Sequence, residues 1–136
     1  MTTSFADVID SLPNGLHDAL VHELVVAPAE ARIVMDLDVW TGDLDGPEEQ
    51  RDEYRRGRLT LTGIERFSLD VEEAAIEQGK PVMIDAETGG PGTVPDLWPS
   101  EPDDRKLWIF FNDWNGFLRV LGGQVEFEWM EDAEWP

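Results

Sequence analysis

His17, Asp18 and His22 supply the only imidazoles of this chain and the carboxylate beside one of them. A histidine next to an aspartate can ligate a divalent metal or hold a proton near neutral pH. His17 follows the turn sequence Asn14-Gly15, and a bend there would bring it beside Asp36 or Asp38 as a nitrogen-and-carboxylate metal site. The simpler role is structural: His17 and Asp18 hydrogen-bond the turn backbone and fix the strand that follows. His22 lies five residues on, an odd separation that places it on the other face of a regular strand, so the two rings do not serve one metal. The expectation is no metal and no cofactor.

Asp36 and Asp38 form a second constellation, on one face of a strand about 7 Å apart. Paired carboxylates at that spacing occur in glycoside hydrolysis. In a chain with 30 acidic residues the simpler reading is a solvated face matched by arginines of a neighbouring strand, such as Arg58 or Arg66. Asp43-Leu44-Asp45-Gly46 with Glu48 and Glu49 has the oxygen density of a calcium loop but misses the twelve-residue register, and reads as a solvated loop. None of the four serines has a nucleophile-elbow context, there is no cysteine, and Gly89-Gly90-Pro91-Gly92 lacks the lysine and helix of a phosphate loop. No catalytic residue is assigned, and the chain is expected not to be an enzyme.

Two of the six tryptophans, Trp98 in a proline-rich loop and Trp114 at a turn, are candidates for a contact surface, because aromatic anchors dominate binding hot spots. They could equally stack on a sugar, or fold back over the core. The candidate binding residues are therefore His17, Asp18, Asp36, Asp38, Trp98 and Trp114.

The elements that must position these residues are mostly strands. Phe5, Val8, Ile9 and Leu12 have helical spacing, with Ser4 as N-cap and Asp7 three residues on, and Pro13-Asn14-Gly15 ends the helix. Leu16 to Val26 and Arg32 to Trp40 read as an antiparallel pair joined at Ala27-Pro28-Ala29-Glu30, the second with Ile33, Met35, Leu37 and Val39 on one face. Arg58 to Thr62 and Glu65 to Asp70 are joined or kinked at Gly63. Val71 to Gln78, ended by Gly79, reads equally as one or two helical turns or as a solvated excursion, and Pro81 to Ala86 is a short strand. The stretch from Thr88 to Asp104, with four prolines, is irregular. Lys106 to Phe111, Phe117 to Leu121 and Gln124 to Met130 complete the pattern as a three-stranded meander across Asn115-Gly116 and Gly122-Gly123. The class is mainly β, an antiparallel sandwich or partly open barrel with a short N-terminal helix, in a single domain over residues 1–136.

Charge excludes some partners. The net charge is −20, which repels phosphates and anionic headgroups, so neither nucleic acid nor a membrane surface is an expected partner and a basic protein is. The charge is uneven: residues 1–49 carry 11 acids and one base, residues 50–69 carry three acids and five arginines, and residues 70–104 carry ten acids and one lysine. Arg51, Arg55, Arg56, Arg58 and Arg66 form a basic island expected to neutralise neighbouring carboxylates. With no leader-like or 18-residue apolar segment, the expected location is the cytoplasm.

Leu12-Pro13-Asn14-Gly15-Leu16-His17-Asp18-Ala19, followed by two strands and by Tyr54-Arg55-Arg56-Gly57-Arg58-Leu59-Thr60-Leu61-Thr62-Gly63-Ile64, resembles small bacterial β-rich proteins whose first strand opens with a His-Asp-Ala turn. That group is similar to the immunity protein 50 type of toxin-immunity proteins, and the likeness covers residues 12–70. The resemblance implies a non-enzymatic binder that neutralises a toxin, with His17 and Asp18 as the shared turn residues. Two other readings stand beside it: a small carbohydrate-binding β domain using Trp98 or Trp114 with Asp36 and Asp38, and a self-associating module in which exposed aromatics make a homodimer.

Overall fold

The computed structural model describes residues 5–42, 45–51, 53–71, 80–88, 96–112, 114 and 116–130. Ser4, Asp43 and Leu44 of the calcium-like loop, residues 72–78 of the helical excursion and residues 89–95 of the proline-rich stretch lie outside them.

Among the described residues a helix α1 (Phe5–Ser11) leads into nine strands: β1 (Pro13–Leu16), β2 (Ala19–Ala27), β3 (Arg32–Trp40), β4 (Tyr54–Thr62), β5 (Arg66–Asp70), β6 (Val82–Thr88), β7 (Lys106–Phe111), β8 (Gly116–Leu121) and β9 (Gln124–Trp129). Eight of them form one antiparallel sheet in the order β5-β8-β7-β6-β2-β3-β4-β9. Alternation builds the core. Ile33, Met35, Leu37 and Val39 are all fully buried, as their period of two requires, and Leu59, Leu61, Ile84, Ile109, Leu118 and Val120 meet them from neighbouring strands. Phe5 and Val8 of α1, with Leu12 just after it, close one side of the same core.

The sheet curls but does not close. β4 pairs with β9 as far as Thr62 opposite Gln124, and β5 pairs with β8 from Arg66 opposite Leu121. Between these ladders one chain turns at Gly63 (φ 65°) and the other at Gly122 and Gly123 (φ 78° and 95°), so both bends fall at one corner. A Cβ on Gly123 would collide with the Thr62 carbonyl, which fixes glycine there for space as well as for conformation. Beyond the corner the ladders diverge, leaving β5 and β9 with one hydrogen-bonded neighbour each among the described residues. This is the partly open barrel rather than the sandwich.

The structure departs from the sequence expectation in three places. The meander stops at two strands: β7 pairs with β8, but β9 crosses the glycine corner to β4 because β5 already occupies the other edge of β8. The strand expected from Leu16 splits into β1 and β2, since Asp18 adopts a left-handed conformation (φ 57°) that interrupts it. β4 begins at Tyr54 rather than Arg58, its arginine-rich start being held by pairing with Val39, Asp38 and Leu37.

Candidate functional site

The turn between β1 and β2 carries His17 to the surface, 60% exposed. Its backbone N–H donates to the Asn14 carbonyl at 3.2 Å. The Asn14 side-chain amide donates in turn to the carbonyls of Trp40 (3.1 Å) and Gly42 (2.9 Å), tying the turn to the end of β3. Trp40 is fixed by its indole N–H on the Arg51 carbonyl at 2.7 Å, and its ring centroid lies 6.1 Å from that of His17.

Two carboxylates grip the His17 ring. Nδ1 is hydrogen-bonded to Asp85 of β6, and Nε2 lies 3.4 Å from Asp18. Asp85 arrives because Ile84, paired with Ala19 at the start of β2, points inward and so turns its neighbour outward. The hydrogen bond that the His17 ring donates to Asp85 raises the His17 pKa above its ordinary value; slight burial opposes this, and the charges of Asp85 and Asp18 add to it. Donor atoms of His17, Asp18 and Asp85 all lie within 4.8 Å of one another, the pattern of an imidazole-dicarboxylate metal set. As placed, the two ring nitrogens face separate carboxylates, an arrangement that favours a bound proton.

His17 therefore does not meet Asp36 or Asp38. It is His22 that reaches Asp38, Nε2 to Oδ2 at 2.7 Å, from a register shift between Val21 and Glu23 that turns its ring outward over β3. The other Asp38 oxygen accepts from Arg56 Nε at 3.2 Å. Asp36 accepts two hydrogen bonds from Arg58, at 2.7 and 3.3 Å, in the planar geometry that suits guanidinium and carboxylate. Glu23 and Glu128 stand in the same cross-strand row and, with Asp36, raise the Arg58 pKa, the Asp36 hydrogen bond contributing most. Each aspartate of the pair is thus committed to its own arginine across the strand.

The tryptophans are not brought together. Trp98 precedes β7 and Trp114 follows it, at opposite ends of the strand. Trp114 stacks on the buried Phe111 with centroids 5.1 Å apart and packs against the core. Trp98 is half-buried in a loop pinned by Lys106, which is only 3% exposed and places its ammonium 2.6 Å from Asp96 and 3.4 Å from Asp103. Asp96 also accepts the Trp98 backbone N–H at 2.9 Å. The Lys106 hydrogen bond lowers the Asp96 pKa, and Asp96 raises that of Lys106.

The sequence reading missed Asp85, Lys106 and Asp96 as members of these clusters. Alternation in Pro81 to Ala86 does turn Asp85 outward, but only strand order reveals that β6 lies beside β2. Nothing in a lysine that opens a strand signals its burial.

No known protein family matches the chain, and no curated protein matches it. The chain is similar to a solved structure of an uncharacterized protein from Neisseria gonorrhoeae, at 11% identity and a TM-score of 0.39, covering 82% of this chain and 91% of that one. A likeness at that level assigns neither partner nor activity.

Proposed function

We propose that this chain is a non-enzymatic acidic interaction protein that captures a basic protein partner, its sharpest form being the neutralisation of a basic toxin in the manner of immunity proteins. One observation carries the reading. Five of the ten positive side chains are paired with carboxylates of the same chain: Arg56 and Arg58 with Asp38 and Asp36, Arg105 with Glu65 and Glu101, Lys106 with Asp96 and Asp103, and Arg32 with Glu30. The chain carries a net charge of −20, and among the described residues Asp7, Asp10, Glu48, Glu49, Asp104 and Glu126 are exposed carboxylates. A field of one sign speeds encounter with a cationic partner and repels anionic ones.

The test is low-salt affinity capture from the native cell, followed by co-expression with the captured protein. Recovery of a basic protein whose toxicity the chain suppresses supports the immunity form. Recovery of a basic protein without toxicity keeps only the broader reading, and recovery of no basic protein contradicts both.

A further inference from the structure

Strand β5 ends the sheet, with β8 as its hydrogen-bonded neighbour on one side and no described strand on the other. Its Phe67 and Leu69 stand directly opposite Val120 and Leu118, which are fully buried, so both point to the core side of the sheet. They nevertheless remain 41% and 42% exposed. Edge strands are usually blunted by an inward charge, a proline or a bulge, and β5 carries none of these on its core-facing side.

The sequence of the strand, Arg66-Phe67-Ser68-Leu69-Asp70, is complementary to its own reverse. We propose that a second copy of this chain pairs with it, β5 against β5, antiparallel about a two-fold axis through Ser68. In that register Arg66 of each copy faces Asp70 of the other, and Phe67 faces Leu69, twice over. Neither Arg66 nor Asp70 makes an ion pair with a described residue of its own chain, so both are available for this one. The interface is isologous and closes on itself, joining two curled sheets into one and covering four core-facing apolar side chains.

Charge sets the strength and the salt response. Each copy carries −20, and this diffuse repulsion is screened by salt more than the two direct Arg66–Asp70 contacts are. The dimer is therefore weak at low ionic strength and tightens as salt is added, opposite in sign to the capture of a basic partner.

Sedimentation equilibrium of the full chain at moderate salt tests this, with circular dichroism confirming that each variant folds. The wild type shows reversible, concentration-dependent dimerisation. Arg66→Asp and Asp70→Arg, which place like charges opposite each other, each weaken it by about tenfold or more. Mixing these two variants restores association as a heterodimer, because every carboxylate then faces an arginine, and the double swap Arg66→Asp/Asp70→Arg restores the homodimer. A wild type that stays monomeric at all concentrations overturns the proposal, as does a dimer that the single swaps leave unchanged or that neither rescue recovers.

Discussion

Arg58 and Asp36 face each other across β4 and β3 through two hydrogen bonds, with Glu23 and Glu128 in the same cross-strand row. One guanidinium thus serves several carboxylates on the outer face. That arrangement is how an acidic chain keeps its central strands together: arginine appears where strand pairing would otherwise align like charges.

Replacing Arg58 by Ala leaves Asp36 facing Glu23 and Glu128 without a cation. Because Arg58 and Asp36 are partly solvated, the loss is about 0.5 to 1 kcal/mol at low salt and smaller at high salt. Urea denaturation at two ionic strengths measures both the loss and its screening. A variant as stable as the wild type at low salt contradicts this role.

His17 gives stability a pH dependence of defined sign. Its folded pKa is raised by Asp85, so the stabilisation is fully present below about pH 6.5 and is lost as pH rises through the higher folded value. Asp85→Asn removes most of that slope, because the hydrogen bond to Asp85 is the largest cause of the shift. Imidazole proton shifts followed by NMR against pH check it: the His17 midpoint falls toward the ordinary value in the variant.

Lys106 is the anchor of the loop that carries Trp98. Lys106→Met keeps the stem that packs in the sheet but leaves Asp96 and Asp103 without their shared cation. Amide hydrogen exchange over residues 96–105 rises in the variant, while exchange in β3 and β4 is unchanged. Uniform acceleration would mean that Lys106 supports the whole core instead.

At the corner, Gly123→Ala must adopt a φ of 95° and push its Cβ against the Thr62 carbonyl. The cost is about 1 to 3 kcal/mol, read as a lowered denaturation midpoint. The same substitution made in an ordinary β-hairpin turn would cost less, so the size of the effect reports the corner.

How much of this was legible in the residues follows from which forces are local. Arg32 to Trp40 could be read to the residue because alternating Ile33, Met35, Leu37 and Val39 encode a face, and burial enforces it. The arginine partners of Asp36 and Asp38 were legible as a class, since acidic strand positions need cationic ones opposite; Arg58 was expected, and Arg56 takes the second place that Arg66 was a candidate for. Strand order was not legible. Gly122-Gly123 announces a reversal, but whether β9 returns to β8 or bends to β4 depends on β5, a partner more than fifty residues earlier in the chain. The same non-local choice hid Asp85 from His17, because only the β2 to β6 pairing makes them neighbours.

If outward carboxylate charge captures a cationic protein, salt must slow the encounter. The most direct measurement is the association rate with the basic protein recovered at low salt, followed by stopped flow as sodium chloride is raised to physiological strength and beyond. The association rate is expected to fall by about tenfold or more, with the dissociation rate changing much less. An association rate indifferent to salt would contradict it.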